Sequence, residues 1–182
     1  MYFRSHRRFG TALLCAGLLF SGTDRGGAVE EYQLKAAMVY NLARFVEWPP
    51  EALKSPVDPI TICVAGDSPI EGPLQQAVSG KVLEEHRMAF KHLTDPRQAA
   101  GCQILFFSAS TARGKWRPML ADLNTTGVLT VGEAERFASE GGMVNLKTDG
   151  ARIQIQVNLA AAEQGRLRIS SKLLNLAEIV KR

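Results

Sequence analysis

The chain has 182 residues, enough for one ordinary domain and a targeting segment but not for two domains. Apolar residues make up 46% and charged residues 22%, which excludes a disordered chain, a collagen-like repeat and a polytopic membrane protein. The 22 Lys+Arg against 18 Asp+Glu give a formal charge of +4, but the excess lies at the N-terminus.

Residues 1–28 have the pattern of a secretory signal peptide cleaved near Ala28. Arg4, Arg7 and Arg8 form a positive leader, Thr11 to Phe20 is an uncharged and mostly apolar run, and Gly26-Gly27-Ala28 offers small residues before Val29. The run is half of what a bilayer span needs, which disfavours an uncleaved anchor. Cys15 lies inside it rather than after a small residue at its end, which argues against lipidation. Without Arg4, Arg7, Arg8, Arg25 and Asp24, 18 basic residues face 17 acidic ones, a net of +1. Nothing is left of an electrostatic case for nucleic acid.

In the remaining chain, Glu30 to Trp48 carries apolar residues at 34, 38, 42, 45 and 46, the stripe of an amphipathic helix that Pro49-Pro50 would stop. Ile60 to Ala65 is a short apolar, β-branched run closed by Gly66-Asp67 and predicts a buried strand. Pro69 to Val78 suits a short helix, weakened by Gly72 and Pro73. Arg87 to Leu93 alternates like a half-buried strand, and Cys102 to Phe107 predicts a second fully buried one. Ser110 or Thr111 would cap a helix running to Leu123. Gly127 to Val131 predicts a third strand, with a short helix from Glu133 to Ser139.

Met143 to Lys147 and Arg152 to Leu159 flank Thr148-Asp149-Gly150 and predict a hairpin. Leu167 to Ile169 is a further strand, and Ser170-Ser171 would cap a closing helix from Lys172 to Val180. Helices alternating with apolar strands predict a three-layer α/β domain, its sheet mostly parallel, with helices on both faces and a late antiparallel hairpin. Phe45, Trp48 and Phe137 are expected in the core.

The most tempting catalytic signal is Gly66-Asp67-Ser68, which resembles the nucleophile block of GDSL-type esterases. Those enzymes need a histidine base near the C-terminus, and no histidine follows His92. A serine hydroxyl without a base stays a poor nucleophile, so a turn is the better reading. His86 and His92 alone do not close a metal site, and no carboxylate or cysteine shows ligand spacing beside them. The sequence thus predicts no catalytic residues, no metal and no cofactor. Cys63 and Cys102 are an even pair in a chain bound for an oxidising compartment. If their runs are neighbouring strands the sulfurs could meet; two buried free thiols are the alternative.

From Tyr40 to Pro49 (YNLARFVEWP) the chain resembles the YfiR-like family of periplasmic regulators. The resemblance continues in order through Ile62 to Pro69, Cys102 to Phe106, Val128 to Val131, Phe137, Gly141 to Asn145, Val157 to Leu159 and Leu167 to Leu174. It makes residues 29–182 a single YfiR-like domain. It implies a non-enzymatic protein that binds and inhibits the periplasmic sensor domain of an inner-membrane diguanylate cyclase, holding cyclic-di-GMP synthesis low. An outer-membrane lipoprotein that sequesters it, and a homodimer, are the other partners it brings into view. The family disulfide carries over onto Cys63 and Cys102; a second one has no counterpart, and Gln103 stands where many members have His.

Two other readings stand beside this one: an exported GDSL-like hydrolase, and a periplasmic small-molecule-binding protein with its cleft near Gly66, Asp67 and Ser68, at the strand C-terminal ends. For a partner, the expected surface is apolar and lies on residues 152–169. Ile153 and Ile155 on the hairpin are expected to join Leu167 and Ile169, the latter two as anchors.

Overall fold

The computed structural model describes residues 25–110, 116–122 and 126–180. The leader through residue 24, the Thr111 cap and the Leu123 helix end lie outside the described residues. Helix α1 (Arg25–Leu42) runs through the expected cleavage site and ends in a 3-10 turn, Ala43–Phe45. Its buried face keeps Leu42 of the expected stripe, with Met38 half-buried, but turns Leu34 outward. Lys35, Ala36, Val39, Leu42 and Ala43 point inward, whereas Leu34 is 49% exposed. The alanines and the lysine on this face are invisible to a count of large apolar residues. The helix also stops earlier than Pro49 requires. Strand β1 (Val46–Glu47) pairs antiparallel with β9 (Arg168–Ile169) in a small separate ribbon, and this pairing overrides helical periodicity.

The main sheet holds eight strands. β2 (Ile60–Ala65), β5 (Ile104–Phe107) and β6 (Leu129–Gly132) are its apolar centre. Around them lie β3 (Val82–Leu83), β4 (His86–Leu93), β7 (Val144–Asp149), β8 (Arg152–Val157) and β10 (Glu178–Ile179). The spatial order is β10-β8-β7-β6-β5-β2-β4-β3. All neighbours are parallel except β7 with β8 and β3 with β4, so the sheet is mostly parallel with a late hairpin, as expected.

Alternation divides the strand residues between two cores. Ile60, Ile62, Val64, Ile104, Phe106, Leu129 and Val131 face α1 and the helices α2 (Glu71–Val78), α4 (Leu159–Gln164) and α5 (Ser171–Leu174). Cys63, Ala65, Leu105 and Phe107 face the other way, against Trp116 of α3 (Trp116–Asp122) and Phe137. Phe137 is fully buried, with ring centroids 5.5 Å from Phe107 and 5.4 Å from Trp116; Phe45 and Trp48 are half-buried beside the first core.

Two expected elements differ, and one helix was not expected. Residues 133–139 form successive turns rather than a helix. The closing helix is one turn, capped by the Ser170 hydroxyl accepting the Lys172 N–H, and the chain then pairs with β8 as β10. The alanine-rich segment is a helix, α4, whose Asn158 Oδ1 accepts the Ala161 N–H while its Nδ2 donates to Ala138 O at 2.8 Å. Among the described residues no helix is long and apolar enough to cross a membrane.

Candidate functional site

The order of the strands creates one special place. From β2 the chain passes through α2 to β4 on one side, then crosses back to β5 on the other side of β2. The segment after β2 leads to α2 in the first core, whereas the segment after β5 leads to α3 in the second. The two diverge at the carboxyl ends of β2 and β5, the topological switch point at which α/β sheets bind ligands. A shallow, open depression lies there, lined by Gly66, Asp67, Ser68, Pro69, Glu71 and Ser110.

Gly66, with φ 74°, turns the chain out of β2 in a conformation that a residue with a Cβ rarely adopts. The Ser68 hydroxyl accepts the Ile70 N–H at 3.4 Å, and the Ser68 N–H donates to Glu71 Oε1 at 3.0 Å, a reciprocal start to α2 like a capping box. Among the described residues no base hydrogen-bonds the Ser68 hydroxyl, which the turn occupies. The Ser110 hydroxyl donates to Asp67 O at 3.0 Å and so ties the two diverging segments. His92 is an exposed histidine, but it has a partner. Its Nδ1 lies 3.2 Å from Glu71 Oε2, because parallel pairing sets His92 opposite Val64, three residues before Asp67. His86 is elsewhere, its Nδ1 donating to Asp58 O at 2.8 Å.

Cys63 and Cys102 are joined in a disulfide with Cα atoms 5.9 Å apart, stapling β2 to the entry of β5 within the second core. Gln103, beside it, is a clamp. Its Oε1 accepts the Thr61 N–H at 2.8 Å and its Nε2 donates to Ala52 O at 3.0 Å. Trp48 Nε1 donates to Gln103 O at 3.4 Å, which uses the indole's polar end internally.

The expected partner surface is only partly a surface. Leu167 is 1% exposed and packs in the first core, so it cannot anchor a partner; its N–H donates to Ala162 O and its neighbour Arg168 begins the β1–β9 ribbon. Ile169 is half-buried in that ribbon rather than in the sheet that contains the hairpin. Residues 152–169 are therefore two regions and not one. Ile153 and Ile155 are half-buried on β8. β10 covers β8 only at Gln156 and Val157, so the outer edge of residues 152–155 has no strand partner among the described residues. Beside it lies a groove of about 600 Å³ between α1 and the hairpin, lined among others by Leu34, Thr148, Arg152 and Ile153, while Ile179, 43% exposed, sits at the other end of β8, opposite Val157. Neither Leu34 nor Ile179 was marked by the sequence: Leu34 sat in a stripe expected to be buried, and Ile179 in the expected closing helix without a role of its own.

In solved structures, the fold is similar to that of a conserved domain protein from Vibrio cholerae O1 biovar El Tor strain N16961. The TM-score is 0.58 at 11% identity, over 82% of this chain and 60% of that one. The present chain thus spans 60% of that protein, less than two thirds, and the likeness concerns the fold. No protein of curated function matches the sequence. The model of the YfiR/HmsC-like family matches residues 32–178, from the second turn of α1 to the start of β10. With a match over that whole span, the chain belongs to the YfiR/HmsC-like family.

Proposed function

We propose that this protein is exported, loses residues 1–28, and restrains an inner-membrane diguanylate cyclase by binding its periplasmic sensor domain. The observation that carries this reading is the family match over residues 32–178. The surface that suits such a partner is the outer edge of β8. There backbone groups without a strand partner among the described residues belong to half-buried Ile153 and Ile155, with exposed Leu34 at one end of the strand and exposed Ile179 at the other. An edge with an apolar flank binds an extended segment through main-chain hydrogen bonds, with side-chain pockets giving selectivity. A mature chain of net charge near zero gives little electrostatic steering, so affinity rests on the apolar contact.

The test is capture of the cyclase's periplasmic domain by the purified protein, together with cyclic-di-GMP levels in cells lacking it. We expect capture by the wild type and raised cyclic-di-GMP in its absence. Leu34→Arg and Ile179→Arg, both at exposed positions, should leave circular dichroism unchanged and together weaken capture by at least about tenfold, as loss of an interface anchor does. Unaltered capture by the folded variants would refute the β8-edge surface. No capture by the wild type, with cyclic-di-GMP unchanged in its absence, would refute the cyclase reading itself.

A further inference from the structure

The side chains of Asp67, Glu71 and His92 each place one donor atom within 4.8 Å of the other two. They come from three different places: the turn after β2, the first residue of α2, and the end of β4. One imidazole and two carboxylates form a mixed donor set suited to zinc and its first-row neighbours rather than to calcium or magnesium. Tetrahedral zinc with bonds of about 2.0–2.2 Å holds its donor atoms about 3.3 Å apart. The His92 Nδ1 to Glu71 Oε2 separation of 3.2 Å already has that span.

An ordinary ion pair between Glu71 and His92 accounts for those two groups but not for the third. The Asp67 carboxylate, on an exposed residue, brings a third donor atom within 4.8 Å of both. Two carboxylates this close repel each other, and a shared cation relieves that repulsion. The N-terminus of α2 opposes a cation with about half a positive charge, which two carboxylates outweigh. The groups are also positioned from behind. Glu71 Oε1 is occupied by the Ser68 N–H, so Oε2, the oxygen beside His92 Nδ1, is the one left to face a metal, and the Asp67 backbone is held by Ser110. The cluster borders the depression at the topological switch point, where the fold itself favours a ligand.

We infer that Asp67, Glu71 and His92 form a binding site for a divalent transition cation of the zinc class, with solvent completing the coordination. The site is independent of the β8 edge and of the cyclase reading. The test titrates ZnCl2 into the untagged protein by calorimetry, with the metal-free variants Asp67→Asn, Glu71→Gln and His92→Gln compared by circular dichroism. Glutamine retains an acceptor for the Ser68 N–H, so the start of α2 should survive. We expect one zinc per chain, affinity lowered at least about tenfold by each of the three substitutions, and no change with His86→Gln. No one-to-one binding would overturn the assignment. So would binding that survives any of the three substitutions, or binding that depends equally on His86.

Discussion

Phe137 shows how a single side chain dictates its neighbours. Its ring lies against the Cα atoms of Gly132 at the end of β6 and Gly142 before β7, and a Cβ on either glycine would fall well inside van der Waals contact with the ring. The Gly142 N–H also donates to Phe137 O at 2.9 Å, so the backbone cannot back away freely. Gly142→Ala should therefore overpack the second core and cost about 1–3 kcal/mol, read as a lower urea midpoint. Gly72 is the comparison: it lies in the first turn of α2 with nothing near the Cβ position, and alanine there should be neutral or stabilise by up to about 1 kcal/mol. Equal stabilities of the two variants would mean that the ring, and not the glycines, has room to move. The same packing explains the missing helix at 133–139: with Phe137 drawn under the two glycines, its segment turns instead of coiling.

At the scale of elements, α1 is held to the sheet by charge as well as by apolar contact. Lys35, 3% exposed, bridges Glu31 at 2.6 Å and Glu133 at 2.7 Å, and Glu133 also accepts the Ala109 N–H at 3.0 Å. Lys35→Met would leave the Glu133 carboxylate buried without a counter-charge, at a cost of about 3–5 kcal/mol; adding Glu133→Gln should recover much of it. Additive losses in that double variant, measured in urea, would disprove the coupling. Acid should weaken the same contact. Hydrogen bonds from Lys35 and then Thr148 hold the Glu31 carboxyl below its ordinary value, against an opposing effect of burial. A depressed carboxylate stabilises the fold above its unfolded value, and that contribution fades as pH falls through the folded one, so Glu31→Gln should flatten the stability slope below about pH 4. For Lys35, burial lowers the pKa, but the hydrogen bonds it donates to Glu133 and Glu31 outweigh it and the net shift is upward. Its contribution is complete below the unfolded value and is lost only in strong alkali. Elements such as β2 and β5 were legible because a strand covered on both faces must be apolar throughout. The two-residue strands β1, β9 and β10 were not, since only the partner across the gap makes them strands. The site divides likewise: Gly66-Asp67-Ser68 stood out as a turn after a strand, but the parallel register that carries His92 to Glu71 leaves no local trace.

For the whole molecule, the disulfide and the strand order address the same problem. β2 pairs with β4 and with β5, the latter after the chain has crossed back over the sheet. Parallel pairing of this kind leaves a long loop to be closed before any contact stabilises it. The Cys63–Cys102 bond, spanning 39 residues, encloses that crossing and removes about 4 kcal/mol of closure entropy from the unfolded chain in the chain-entropy description. Pairing of Ile62 to Ala65 with Ile104 to Phe107, together with the Gln103 clamp, remains when the sulfurs are removed. The Cys63→Ala/Cys102→Ala protein should therefore fold to the same circular dichroism spectrum but lose about 2–4 kcal/mol in urea. Access gives a second readout. Cys63 is fully buried and Cys102 nearly so, and a thiolate must reach a sulfur to exchange with it. In native buffer, dithiothreitol should thus reduce the bond only as fast as the sheet opens, and sub-denaturing urea should accelerate reduction. A double variant as stable as the wild type would remove the disulfide from the forces that hold the fold. Native reduction as fast as in full denaturant would show instead that the β2–β5 seam opens independently of the rest of the sheet.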